Sequence, residues 1–415
     1  MSKSKVNNVG DLLKHSLGED VTVLSENTTL LTAPGEHYGS VMLALEVKIK
    51  RNTRGDEEVL HLVAKLIPAS EMLRLAFDIP VTFKKEVFAY KETIPAMVRL
   101  QKEYGVPEEK HIDKLFPKCL GARLSVDENK NMVDEDAVLL FENLKIQGFI
   151  TEDRLKGFDL SATTVILKDL ARFHAVPIAL KLLKPEVFKE KLLPAVVNNK
   201  GLEQLPPEVG QAFHNAIMDG ARATPELEPY LDRIEKIVEY GRTHPWVLRT
   251  NPNEPWGTMS HADFWVSNTM ILKDSNGTTI ANKIVDLQLM RYWSCVCDLT
   301  FFLFTSVINS VLDEHFDEFL RVYHDSFIDT LKDFNIDLEP FSWEKFFEEF
   351  NTSGPTDLYH VLVMLKPICT ERGKVTNSLE DFQDTDWSRK DLLGPNHRRK
   401  LRDTIFSIEK RGWLN

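Results

Sequence analysis

The residues best suited to chemistry lie in one short stretch, His261-Ala262-Asp263-Phe264-Trp265-Val266-Ser267-Asn268, with Ile284-Val285-Asp286 just downstream. An Asp followed five positions later by an Asn can put a carboxylate and an amide oxygen on one loop. Phosphoryl transfer asks for such a pair: a base near the attacking hydroxyl, and oxygen ligands holding Mg²⁺ on the phosphates. Mg²⁺ prefers hard oxygen donors and keeps some of its waters, so a second carboxylate must close the site. Asp286 meets that need. It ends the apolar pair Ile284-Val285, and the turn residues Asp274-Ser275-Asn276-Gly277 allow a hairpin to return it beside Asn268. His-x-Asp alone fits a loop histidine bonded to backbone, and an Asp at a strand end fits a cap. The signal lies in the conjunction.

Upstream parts must then position the donor. A cation has to orient nucleotide phosphates, and a carboxylate has to orient the cation; Lys65 and Glu86 match these roles. Val41, Leu43, Leu45, Val47 and Ile49 alternate with Met42, Ala44, Glu46, Lys48 and Lys50, the period of a half-buried strand. Val59 to Ile67 reads as a second strand stopped by Pro68, and Asn52 and Gly55 supply a turn between the two. Lys65 falls near the end of this second strand, on the face opposite Leu62, Ala64 and Leu66. Phe83, Val87 and Tyr90 recur at helical spacing around Glu86, and Pro95 is expected to end that helix. The plain alternative for Glu86 is a solvated helix face, because Lys84 and Lys85 adjoin it. The turn Ala33-Pro34-Gly35-Glu36-His37-Tyr38-Gly39-Ser40 opens into the first strand, where backbone N–H groups of Gly35, Gly39 and Ser40 could face a nucleotide. It matches neither G-x-G-x-x-G nor a Walker A sequence, and a plain β-turn reads almost as well.

Ala137 to Phe141 reads as a strand leading into the connector Glu142-Asn143-Leu144. Beyond it the pattern turns helical. Ile166, Leu170 and Phe173 share a face, His174 lies near the helix end, and Pro177 is expected to stop it. Helices are expected again around Ala212 to Ile217 and from Tyr230 to Tyr240, with Asn198 to Gly210 as a loop between helices. Val296 to Leu312 reads as one buried helix too interrupted by polar residues to span a membrane. The division falls near Asn143, giving a β-rich part over 1–143 and an α-rich part over 144–415. A chain of 415 residues suits two cores or one bilobal unit.

The charge balance, 51 basic against 63 acidic side chains for a net of −12, argues against a nucleic-acid or anionic-membrane surface. The start MSKSKVNNVG lacks a secretory apolar core. Cys119, Cys295, Cys297 and Cys369 make no zinc-ligand spacing, and their sparseness fits a reducing cytoplasm. No obligate protein partner is implied.

Taken with Pro34 to Ser40, Lys65, Phe83 to Tyr90, Leu140-Phe141-Glu142-Asn143-Leu144 and Leu170-Ala171-Arg172-Phe173-His174-Ala175, these motifs resemble the insect ecdysteroid-kinase-like family. The resemblance is strongest in His261 to Asn268 and from Val285-Asp286-Leu287-Gln288 through Asp298-Leu299-Thr300-Phe301-Phe302-Leu303-Phe304. That family is related to choline kinases and aminoglycoside phosphotransferases. The resemblance implies an α+β, bilobal protein-kinase-like fold, with a small β-rich N-terminal lobe and a larger α-rich C-terminal lobe. It implies ATP as donor, Mg²⁺ as cofactor, and an ecdysteroid or similar lipophilic or xenobiotic hydroxyl as acceptor. By position Asp263 is the catalytic Asp, Asn268 and Asp286 are the metal ligands, and Lys65 holds the phosphates in a pair with Glu86. Glu142 to Leu144 is the hinge beside adenine, acting through backbone groups, while His261, His174 and Asp298 brace the catalytic loop. Three departures stand out: Ala262 where a Gly is common, Asn143 where an Asp is frequent, and Leu287-Gln288 after Asp286.

Two other readings compete. A catalytically silent protein of this fold would bind and sequester a lipophilic ligand. A metal-dependent hydrolase would use His261 and Asp263 as ligands, and would need further His or carboxylates at ligand spacing.

Overall fold

The computed structural model describes residues 5–31, 40–51, 55–127, 132–201, 207–244, 251–371 and 388–414. After helix α1 (Val9–Leu17) come strands β1 (Val21–Leu30), β2 (Val41–Arg51) and β3 (Glu57–Leu66). The expected hairpin is β2–β3, whose register sets Met42 opposite Lys65. Helices α2 (Glu71–Ala76), α3 (Ile79–Phe88) and α4 (Ile94–Glu103) follow, then β4 (Cys119–Arg123) and β5 (Val138–Glu142). The five strands form one antiparallel sheet in the order β1-β2-β3-β5-β4.

Period-2 alternation gives this sheet two apolar faces. Leu43, Leu45, Val47, Leu62, Ala64 and Leu66 turn toward Val9, Leu12 and Leu13 of α1. Gly121 is needed for that packing, since a Cβ there would come within 2.6 Å of the Leu12 carbonyl oxygen. The opposite face carries Leu139 and Phe141 against Ile79, Phe83 and Val87 of α3. Lys65 pairs across to Leu139, so it shares this second face and lies beneath α3.

Pro95 does not end the helix. The chain passes from α3 through a π-helical turn, Ala89–Thr93, straight into α4. Pro95 stands in the first turn of α4, and the wider π turn before it accommodates the ring and the missing N–H. Pro177 does not stop its helix either; α5 runs from Leu160 to Leu183. Residues on both sides of the proline are wholly buried, and the Thr258 hydroxyl donates to the His174 carbonyl at 2.7 Å, satisfying part of the disturbed ladder. Tertiary packing overrides the local penalty.

Beyond α5 come α6 (Pro185–Lys191), α7 (Pro207–Arg222) and α8 (Leu231–Thr243). Helix α7 begins inside the stretch read as a loop. Two short ribbons follow: β6 (Gly257–Ser260), β7 (Thr269–Lys273), β8 (Thr279–Ile284) and β9 (Arg291–Ser294), paired β6 with β9 and β7 with β8. The run from Val296 to Leu312 is two helices, not one: α9 (Cys295–Ser306) and α10 (Asn309–Lys332). They part because the chain turns aside to pair with Phe158, whose N–H donates to Ser306 at 2.8 Å. Helices α11 (Trp343–Ser353), α12 (Leu358–Cys369) and α13 (Pro395–Lys410) complete the described elements.

One large core joins α5, α9 and α10 through Phe173, Phe301, Phe302, Phe319 and Phe327, and it also takes Ile94, Met97 and Leu100 from α4. The result is a bilobal α+β fold with a small sheet-based lobe and a larger helical lobe. No helix among the described residues is long and apolar enough to cross a membrane.

His397 of α13 is buried with Nδ1 unpaired. Burial first, then the charges of Lys366 and Arg398, push its pKa from 6.5 down to about 4. Between those values the unfolded chain holds a proton that the folded chain refuses. Stability is therefore full above pH ~6.5 and falls as pH drops toward 4, by about 3 kcal/mol over the window. Melting temperatures measured from pH 7.5 to 4.5 are expected to decline less steeply in His397→Gln than in the parent; equal slopes would refute the assignment.

Candidate active site

Lys65 enters the site from β3, Glu86 from α3, and Asp286 from the turn after β8. The ammonium lies 2.5 Å from Glu86 Oε2 and 2.7 Å from Asp286 Oδ1. Lys65 is 2% exposed and Glu86 is fully buried, which disposes of the solvated-face reading. Burial works against the charge on Lys65, yet the carboxylates of Asp286 and Glu86 overcome it and hold its pKa above the usual lysine range. Glu86 also accepts the Leu287 N–H at 3.1 Å, so its second oxygen fixes the turn that follows Asp286.

The β7–β8 hairpin does what its turn chemistry predicts. Asp274 Oδ1 accepts the N–H groups of Asn276 and Thr278, both at 2.9 Å, and Gly277 takes a positive φ of 81°. At the open end the Val285 N–H donates to the Asn268 carbonyl at 3.0 Å, which brings Asp286 beside Asn268. Asn268 Nδ2 donates to the carboxylate and the carbonyl of Asp263, both at 2.8 Å. Its amide oxygen is left for another partner. Burial, then the negative charge of Asp286, raises the Asp263 pKa well above the usual carboxylate range, against the opposing bonds from Asn268 and Trp265.

Asp298, from α9, holds the loop from behind. One oxygen accepts the His261 N–H at 2.6 Å and His174 Nε2–H at 3.0 Å; the other accepts the Ala262 N–H at 2.8 Å. Burial alone would raise its pKa, but the bonds and charges of His174, His261 and Ala262 reverse that and lower it. His261 is itself a brace, its Nε2–H donating to the Val285 carbonyl at 3.0 Å. Ala262 is bent to a φ of 63°, a left-handed conformation in which a methyl group costs about 1 kcal/mol. A glycine in that conformation would carry no such cost.

A cleft of about 580 Å³ connects these groups. Lys65, Glu86, Asn268 and Asp286 form its polar end, and Val63, Phe141, Leu144, Ile150 and Met270 line an apolar end. Ser40 also lines it, with its hydroxyl 3.7 Å from Met42 Sδ, whereas Gly35 and Gly39 lie outside the described residues. Glu142 and Leu144 border the apolar end. The Glu142 carboxylate accepts the Lys118 N–H and the Gln147 amide, both at 2.8 Å, and the Glu142 N–H donates to the Lys118 carbonyl at 3.0 Å. Asp263 is not part of the cleft lining; it stands one side chain beyond, behind Asn268. Sequence reasoning quoted Trp265 only as part of the loop motif and missed Arg154 and Pro367 in the wall, which reach it only through the fold.

The donor set fits a nucleotide carried with Mg²⁺. Among the described residues no group of three or more His, Cys, Asp or Glu side chains could hold a metal ion. Asn268 and Asp286 are the oxygen-bearing side chains that would hold such an ion, a small donor set of the hard-oxygen kind Mg²⁺ accepts.

A five-stranded sheet presenting a Lys–Glu pair, above a loop with an Asp and an Asn and a second carboxylate after a hairpin, defines a kinase-like phosphotransferase. Within that class the chain belongs to the ecdysteroid kinase-like family, whose model matches residues 34–336. No curated protein sequence matches it. Among solved structures it is similar to an ethanolamine kinase of Plasmodium vivax, at 10% identity over 98% of this chain and 86% of that one, TM-score 0.41. A choline kinase of Cryptosporidium parvum shares 8% identity over 99% and 94% of the two chains, TM-score 0.40. A choline/ethanolamine kinase family protein of Mesorhizobium loti shares 12% over 91% and 92%, TM-score 0.31.

Two substitutions test the loop geometry. Asp298→Asn leaves one acceptor oxygen for donors from His261, Ala262 and His174, and is expected to lower unfolding free energy by about 3–5 kcal/mol in urea titrations. A loss below about 1 kcal/mol would contradict the bracing role. Ala262→Gly relieves the positive φ and is expected to leave the melting temperature unchanged or raise it, although Ala→Gly usually destabilises.

Proposed function

We propose that the protein is an ATP-dependent small-molecule kinase that transfers the γ-phosphoryl group to a hydroxyl of an ecdysteroid or a similar lipophilic or xenobiotic acceptor. The single observation carrying this reading is the buried Lys65 ammonium bonded to both Glu86 and Asp286 at the polar end of the cleft. The β-rich part, 1–143, holds the donor, and the α-rich part, 144–415, supplies the catalytic loop and the acceptor site.

In this reading the free Leu144 N–H and the apolar wall of Val63, Phe141 and Met270 take the base. Lys65 orients the phosphates, steadied by Glu86. Asn268 and Asp286 hold Mg²⁺, which when bound with ATP neutralises charge developing on the transferred group. Asp263 orients the acceptor hydroxyl and receives its proton, and Asn268 keeps the Asp263 carboxylate in register. Its place behind Asn268 sets the acceptor on the far side of that residue from the base. Four cysteines, none of them in a disulfide among the described residues, support a cytoplasmic setting, and the acceptor class suits an intracellular role in detoxification or hormone storage.

The test incubates the purified protein with labelled ATP, Mg²⁺ and a panel of ecdysteroids, alkaloids and glycosides. One phosphorylated product is expected, and Asp263→Asn should lower turnover by ~10²–10⁴ while leaving ATP-induced thermal stabilisation in place. Ligand binding with no transfer to any acceptor would favour the sequestering protein instead.

A further inference from the structure

Helix α3 presents three consecutive charged residues, Lys84, Lys85 and Glu86, and only Lys84 is exposed. Lys85 is 2% exposed, and among the described residues no carboxylate lies within ion-pair distance of it. A lysine buried without a counter-charge is expensive, and a Leu or Met would fill the same space without that cost. Its one hydrogen bond must therefore matter. Lys85 Nζ donates to the Met290 carbonyl at 2.5 Å.

Met290 closes the turn Leu287–Leu289 that begins at Asp286, and Arg291 opens β9 immediately after it. Glu86 accepts the Leu287 N–H at the start of that turn, and Lys85 donates to the Met290 carbonyl at its end. Two neighbouring side chains of α3 thus grip both ends of one turn, one as acceptor and one as donor. The grip reaches further, because Arg291 pairs with Ser260 and Ser260 precedes His261 of the catalytic loop. The charged groups facing Lys85 are Asp78 at the start of α3, Glu86 on the same helix, and Arg291 on β9. Burial, then Arg291, lowers the Lys85 pKa to about 7. A neutral amine still donates a hydrogen bond to a carbonyl, so the contact needs no acidic partner.

We infer that Lys85 is a positioning residue for phosphoryl transfer: its bond to the Met290 carbonyl, with the Glu86–Leu287 bond, locks α3 to the Asp286 turn and keeps Lys65 and Asp286 aligned. This rests on the phosphotransferase reading. Lys85 touches neither nucleotide nor acceptor and acts through the turn.

The test compares Lys85→Met, which keeps the stem and removes the donor, with Lys85→Arg, which restores one. Amide hydrogen exchange is read first because it needs no turnover. Lys85→Met is expected to speed exchange at Leu287 to Arg291 at least tenfold, with the sheet strands unchanged. ADP formation from ATP and Mg²⁺, with the acceptor panel present, is expected to show kcat lowered about tenfold or more and the KM for ATP moved less than threefold. Lys85→Arg should recover part of both effects. Unchanged exchange at the turn, unchanged kcat, or a loss in Lys85→Met that Lys85→Arg does not mitigate would each overturn the proposal. Asp263→Asn runs in parallel: if the parent shows no Asp263-dependent turnover, the phosphotransferase reading fails, while the exchange result still decides whether the lock exists.

Discussion

A buried ammonium must have its charge answered, and in this protein Lys65 draws that answer from two distant parts of the chain. Glu86 comes from the helix laid over the sheet and Asp286 from the end of a hairpin in the helical lobe. Neither carboxylate is optional once Lys65 is 2% exposed, because an unpaired charge at that depth would cost several kcal/mol. Satisfying it obliges α3 to lie against the β3–β5 face and obliges the β7–β8 hairpin to approach the sheet. The relative placement of the lobes around the cleft follows from one cation.

Asp298 imposes a second constraint, of opposite sign and separate purpose. Its carboxylate is repaid by backbone N–H groups of His261 and Ala262 and by the His174 ring, all from outside its own helix. That demand bends the loop at Ala262 into left-handed backbone and so aims Asp263. Strain of about 1 kcal/mol in one residue is small beside the penalty for stranding a buried carboxylate. The two anchors divide the work. Lys65 joins Glu86 to Asp286 at the polar end of the cleft, and Asp298 holds the loop that carries Asp263.

Between the anchors the cleft changes character over a short distance. Lys65, Glu86 and Asp286 give its lining one charged cluster, and Val63, Phe141, Leu144 and Met270 contribute apolar wall. A ligand with a flat apolar head and an anionic tail complements that gradient without any side chain needing to move its charge. The tethering of Glu142 by Lys118 and Gln147 keeps an acidic group from intruding on the apolar end.

Much of this was legible in the sequence, for reasons of local geometry. The β2–β3 alternation put Lys65 on the correct face, because side chains in a strand change sides at every residue. The Asp274 to Gly277 turn announced the hairpin, since only a few residue types tolerate its backbone. The spacing of Asp263, Asn268 and Asp286 then predicted their meeting. What the sequence could not decide was set by packing at long range. Pro95 and Pro177 carry strong local stop signals, yet a π turn and a fully buried helix absorb them. Lys85 looks like part of a solvated face beside Lys84, because adjacent charges on a helix usually point to water, and only the Met290 carbonyl at the end of the turn after Asp286 gives it a partner inside. Local preferences amount to about a kcal/mol per residue, and burial of a whole face or a charge outweighs them. Residue types and spacing therefore singled out the candidate groups for chemistry, and the tertiary structure decided which neighbours hold them in place.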